Sequence, residues 1–232
     1  MRTENLLRVV VVVLIVVAVG TWYFNTRRAE TGTAVAPAPP ARPIGTVVEI
    51  ASPLGLPEVP VPKDNPPTAE TIALGRRLYY DPALSVDNTV ACATCHDPRF
   101  GFSDEPDHPV SIGVNGKKGT RNSPTVFNAA FLTTQFWDGR EPSLEKQAEG
   151  PVQNPVEMAH TLAGVEQKLM ADASYREEFK KAFGADEITY EMVEKAIASF
   201  ERTVLSGNSP FDRFQYGGDK KALSPAAQPQ RA

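Results

Sequence analysis

Cys92, Ala93, Thr94, Cys95 and His96 spell C-x-x-C-H and use the only two cysteines of this 232-residue chain. Two thiols one helical turn apart can reach the two vinyl groups of one porphyrin, while the adjacent imidazole drops beneath the ring as the proximal iron ligand. The spacing therefore reads as the attachment site of one covalently held haem c. Two other chemistries compete for the same residues. A zinc site would take Cys92, Cys95 and His96 with His108 as the fourth ligand, yet a His directly after the second Cys is poorly placed for a tetrahedron, and there is no second Cys pair. A thioredoxin-like dithiol would want a βαβ context, which the flanking sequence does not offer. With both thiols committed to haem, no disulfide is expected.

The elements that must position this motif read as all-α. Thr68 caps a segment that carries Ile72, Leu74, Leu78 and Tyr79 on its apolar positions, and Thr161 precedes Leu162, Val165 and Leu169. A further helix starts near Thr189, with Val193, Ile197, Phe200 and Val204 at 3.6-residue spacing. Ser174 and Glu177 are expected to form a capping box ahead of Tyr175, Phe179 and Phe183, closed by Gly184. Such stripes belong to a core more often than to a cofactor. Between Asp97 and Gly139 the periodicity gives way to Gly, Pro, Asn and Asp. A long irregular stretch in a compact domain usually wraps a ligand, and this one follows the C-x-x-C-H directly.

The N-terminus agrees with a haem attached after export. Arg2 and Arg8 precede an aliphatic run from Val9 to Val19, extended through Phe24, which reads as a membrane anchor or signal segment over residues 1–28. Leu6 to Phe24 would reach about 28 Å as a helix, enough to cross a bilayer with Trp22 and Tyr23 in the interface. That favours an uncleaved transmembrane helix. Ala34-Val35-Ala36 resembles a cleavage site, but Pro37 and the distance from the apolar run speak against its use. Arg27 and Arg28 balance Arg2 and Arg8, so orientation is not decided by charge. A periplasmic body tethered to the inner membrane is inferred from the haem. Residues 29–66 form a Pro/Ala-rich tether, within which Ile44 to Leu56 could lie against the domain as a strap. Residues 67–217 are one domain's worth of sequence. A net charge of −4 without a basic stripe makes nucleic acid an unexpected partner.

Several ordered motifs carry a family resemblance. Leu74 to Asp81, the C-x-x-C-H, Ser111-Ile112-Gly113, Gly119 to Thr125, Gln135 to Arg140 and Gly150 to Met158 resemble the bacterial dihaem cytochrome c peroxidases and their MauG-like relatives, over about Pro67 to Gln228. The resemblance implies an all-α, cytochrome c-like domain with long irregular loops around the haem. It implies a peroxidatic haem on Cys92 and Cys95, ligated by His96, that reduces hydrogen peroxide with electrons from a small periplasmic cytochrome c or cupredoxin. Trp137 matches the tryptophan that relays electrons between two haems. Gln147 and Glu157 match the polar pair above the open haem face, where a carboxylate can move the peroxide proton. A Glu between Val156 and Met158 would also have a raised pKa if buried. Against this stand an ordinary solvated Glu157 and a Trp137 packed in the core beside Phe136.

Two departures shape the expectation. Val114 stands where many relatives place a His that blocks the oxidised haem, and Val cannot ligate iron, so a five-coordinate or water-bound haem is expected. His108 and His160 match no family ligand position. Asn122 matches a residue of the family's calcium site, whose other ligands would come from the second half, so no calcium is expected. Ala222 to Gln228 resemble the entry to a second haem domain, so residues 218–232 read as its start, with the rest missing and supplied, if at all, by a separate second-haem protein. The alternatives are a monohaem electron carrier, with a Met such as Met158 closing the sixth position, and an inactive or split half of a dihaem peroxidase.

Overall fold

The structure is a computed structural model that describes residues 41–228. The expected membrane or signal segment, residues 1–28, and the start of the tether lie outside the described residues. Among those described, no helix is long and apolar enough to cross a membrane.

Eight α-helices form among the described residues: α1 (Ala69–Tyr80), α2 (Cys92–Cys95), α3 (Leu144–Gln147), α4 (Glu149–Gln153), α5 (Leu162–Ala171), α6 (Ala173–Phe183), α7 (Tyr190–Glu201) and α8 (Pro210–Gln215). Among the described residues, extended pairing is limited to isolated bridges such as Asp97 with Ser103 and Ile112 with Lys118. The fold is thus all-α, as expected.

Local chemistry sets the helix ends. At the start of α1 the Thr68 hydroxyl accepts from the Thr71 amide at 3.2 Å, and the Thr71 hydroxyl accepts from the Thr68 amide at 2.9 Å. This reciprocal cap satisfies two of the donors that a helix start leaves bare. The expected start of α6 needs correction. Its cap is Asp172, whose carboxylate accepts from both the amide and the hydroxyl of Ser174 at 2.7 Å, so Ser174 lies inside the helix. A carboxylate two residues earlier competed successfully for the same donors. Gly184 closes α6 with φ +71, as expected.

The core is built on α7, in which Tyr190 and every residue from Met192 to Glu201 is buried. α1 packs along it. Gly75 makes the close approach: a Cβ there would run into the Ala196 carbonyl of α7. Leu74, Leu78 and Tyr79 of α1 join Val165, Phe179, Val193 and Ile197 in one apolar cluster.

From residue 41 the Pro-rich stretch runs as a strap over these helices, with Val59 and Asn65 buried. Proline offers carbonyls but no amide donors, and side chains of the helices meet that need. Lys195 Nζ donates to the Ala41 carbonyl at 2.5 Å and Arg202 Nε to the Pro60 carbonyl at 3.2 Å. Beneath the strap Arg202 and Glu145 form a buried ion pair at 2.8 Å.

Candidate functional site: a cavity behind the C-x-x-C-H turn

α2 is one turn long and holds both cysteines. The Thr94 hydroxyl accepts from the Ala91 amide at 2.9 Å, and the His96 amide donates to the Cys92 carbonyl at 3.0 Å. His96 then leaves helical geometry with φ −125 and ψ 63. The turn brings Cys92, Cys95 and His96 to the wall of one cavity of about 420 Å³, within the usual range for a small-molecule site of roughly 300–1,000 Å³.

The ring of His96 is held by the irregular segment that follows. Its Nδ1 lies 2.9 Å from the Pro124 carbonyl and 3.3 Å from that of Phe102. Carbonyls only accept, so Nδ1 carries the proton and Nε2 is left with a free lone pair. Burial also pulls the imidazole pKa down, which favours the neutral, ligating form. Tyr79 of α1 donates to the His96 carbonyl at 3.1 Å and fixes the backbone. Burial pushes the Cys92 thiol up and the Cys95 thiol up to about 11. Neither is a thiolate at neutral pH, which disfavours dithiol redox chemistry. His108, the fourth ligand that a zinc site would need, pairs instead with Asp104 at 3.3 Å and does not line the cavity. Two protonated thiols and an oriented neutral imidazole on one cavity wall fit a c-type haem.

Gln147 and Glu157 line the same cavity, so the structure brings them together with His96. Gln147 is the last residue of α3. Glu157 sits in a turn where Asn154 Nδ2 donates to its Oε1 at 2.6 Å. Burial pushes the Glu157 carboxyl above the usual range, partly offset by the Asn154 bond. Glu157 is thus half-buried and differs from a fully solvated carboxylate. The Ser111-Ile112-Gly113 loop braces this turn. The Val114 amide donates to the Glu157 carbonyl at 2.8 Å, and a Cβ at Gly113 would strike the backbone of Val156 and Glu157. The Val114 side chain is buried in the core and is not part of the cavity wall. His160 accepts from the Thr161 amide at 2.8 Å and is also absent from the wall.

Trp137 does not pack in the core. It is 66% exposed at the edge of the cavity, with its indole N–H donating to the Asn122 carbonyl at 2.8 Å. Arg121 and Arg140 both hold Asp138 at 2.9 Å beside it, and hold its carboxyl down to about 2. Met158, the last residue of the Gly150 to Met158 motif, is buried and lines the cavity. One residue of the wall escapes the motif reading: Glu201 at the end of α7 is buried and lines the cavity as well. Glu201 lies four residues after Ile197 on the apolar stripe of its helix. A lone acid on such a stripe was the available signal.

An all-α domain that folds a C-x-x-C-H turn and an oriented imidazole into one cavity defines the class of c-type haem domains. A family model described as di-haem cytochrome c peroxidase matches residues 69–221. The chain is 41% identical over 165 residues to the cytochrome c551 peroxidase of Nitrosomonas europaea, covering 71% of this chain and 48% of that protein. It is 43% identical over 171 residues to the methylamine utilization protein MauG of Methylorubrum extorquens, covering 73% and 48%. A crystal structure of a MauG-like protein associated with microbial copper homeostasis superposes with a TM-score of 0.66 at 34% identity, over 76% of this chain and 53% of that one. This chain belongs to the dihaem cytochrome c peroxidase family, whose cofactor is haem c. It spans about half the length of the relatives it matches.

Proposed function

We propose that this chain is the peroxidatic haem domain of a periplasmic cytochrome c peroxidase, tethered to the inner membrane through residues 1–28. Cys92 and Cys95 hold one haem c by thioethers, and His96 Nε2 ligates its iron. The bound haem supplies the redox-active centre at which hydrogen peroxide accepts two electrons. Gln147 orients the peroxide through its carboxamide. Glu157 would take a proton from one peroxide oxygen and return it to the other, which would leave as water. Trp137, exposed at the cavity edge, is the point at which electrons enter from a small cytochrome c or cupredoxin, directly or through a second haem carried elsewhere.

The observation that carries this reading is the placement of Glu157 in the His96 cavity, with its carboxyl pKa raised by burial and oriented by Asn154. Val114, directed into the core, leaves position 114 without a competing ligand. The test mixes haem-loaded full-length chain with one equivalent of peroxide, then with reduced donor. A rapid loss of a high-spin ferric spectrum, followed by oxidation of the donor, is expected. No reaction in the first turnover overturns the reading.

The buried, cavity-lining Met158 favours one second reading. Its thioether could close the sixth iron position and make the domain an electron carrier. A low-spin His–Met spectrum at neutral pH is the result that would select it.

A further inference from the structure

Glu201 lies in the wall of the haem cavity beside Cys92 but has no part in the peroxide chemistry above. It is 6% exposed, and its Oε2 has no hydrogen-bond partner. An apolar side chain would fill this place without the cost of burying a carboxyl group. The charges around it offset its burial only in part. Arg202, the residue that follows the end of α7, pulls the carboxyl pKa down, but its guanidinium is shared with Glu145 of α3 at 2.8 Å, and Glu145 repels a second carboxylate. Tyr79 of α1 and Cys92 of α2 face it as neutral groups. Burial pushes the Glu201 carboxyl up to about 8, so it holds its proton at neutral pH in the cofactor-free protein.

A ferric haem carries one more positive charge than a ferrous haem. At a place as shielded from water as that of Glu201, a carboxylate favours the ferric form more than it would in water. We propose that Glu201 is the proton-coupled residue of this cavity, keeping its proton while the bound haem is ferrous and releasing it when the haem is ferric. The electron passes to the external oxidant, peroxide in the proposed reaction or ferricyanide in a titration, and the proton passes to solvent. The proposal rests on haem attachment at Cys92 and Cys95 and not on peroxide turnover.

The test is a potentiometric titration of haem-loaded full-length chain, with ferricyanide and dithionite, at a series of pH values. The midpoint potential should fall as pH rises toward about 8, approaching a tenfold change in the ferric-to-ferrous ratio per pH unit, about 59 mV. Glu201→Gln should flatten this dependence while the haem content and absorbance spectrum stay unchanged. Glu201→Asp, which retains a carboxyl group, should keep the dependence in a shifted pH window, and it serves as the test if the Gln variant fails to take up haem. A flat potential in the parent protein or in the Asp variant overturns the proposal. So does a slope that persists in Glu201→Gln and disappears in Glu157→Gln, which would place the proton on Glu157. A chain without covalent haem, detected by its absorbance, would overturn the attachment that both readings need.

Discussion

Replacing Asn154 with Ala tests how the protein sets the proton affinity of Glu157. The Asn154 carboxamide donates to Glu157 Oε1 at 2.6 Å, and it opposes the burial that pushes this carboxyl up. Its removal withdraws a donor that favours the ionised form, so the Glu157 pKa must rise further. A hydrogen bond to a charged group contributes about 1.5–3 kcal/mol. Glu157 is only partly buried, so solvent screening puts the effect at the low end, which corresponds to about one pKa unit at 1.36 kcal/mol each. The base acts only when ionised, so the acid limb of the pH–rate profile should move up by about one unit. Stopped-flow mixing with peroxide across acid and alkaline pH measures that limb. Asn154→Asp keeps an acceptor for the Val156 amide, now bonded to Asn154 Oδ1 at 3.1 Å, but sets a carboxylate against a carboxylate and should shift the limb further. A limb that stays in place or moves down in both variants refutes the reasoning.

Other consequences follow from particular contacts. Gly75→Ala puts a methyl group against the Ala196 carbonyl and should cost about 1–3 kcal/mol of stability in denaturant titrations, as overpacking does. Arg202→Met strands the buried Glu145 carboxylate and should cost about 3–5 kcal/mol, while adding Glu145→Gln should recover much of it. The pKa of Glu201 is raised from 4.5 to about 8 on folding, so its contribution to stability is full below the lower value and is lost as pH rises through this window, by up to about 1.4 kcal/mol per unit. Glu201→Gln should remove that slope from the pH dependence of unfolding of the haem-free chain. His96→Gly should leave covalent haem but abolish the proximal bond, visible in the ferric and ferrous absorbance spectra.

Periodic apolar residues made α1, α5 and α7 legible before any coordinates, because one buried face imposes a 3.6-residue spacing. The start of α6 was read two residues late, since Asp172 and Ser174 are both good caps and only the backbone geometry decides between them. The sequence put forward Cys92, Cys95 and His96 from their spacing and Gln147 and Glu157 from the family resemblance, and all five line one cavity. Their shared cavity depends on long-range folding of an aperiodic stretch, in which Pro124 comes back to His96 and Gly113 comes up beneath Glu157. Sequence spacing carries no trace of such contacts. The family pattern reads Trp137 as an electron relay between haems, with a core aromatic beside Phe136 as the alternative, and its exposure speaks against the core position. Glu201 was passed over. Its helix was recognised, and an acid at the end of that helix reads as solvated until the burial of the whole element is known.

The most direct measurement of the central claim is the single-turnover reaction of haem-loaded Glu157→Gln with hydrogen peroxide, beside the parent chain. Gln keeps the size of the side chain and its bond to the Asn154 turn but cannot take up a proton. The account predicts an unchanged resting spectrum and a peroxide reaction slowed by about 10²-fold or more, the usual contribution of a positioned acid–base group. An unaltered rate would contradict it and remove Glu157 from the chemistry of this cavity.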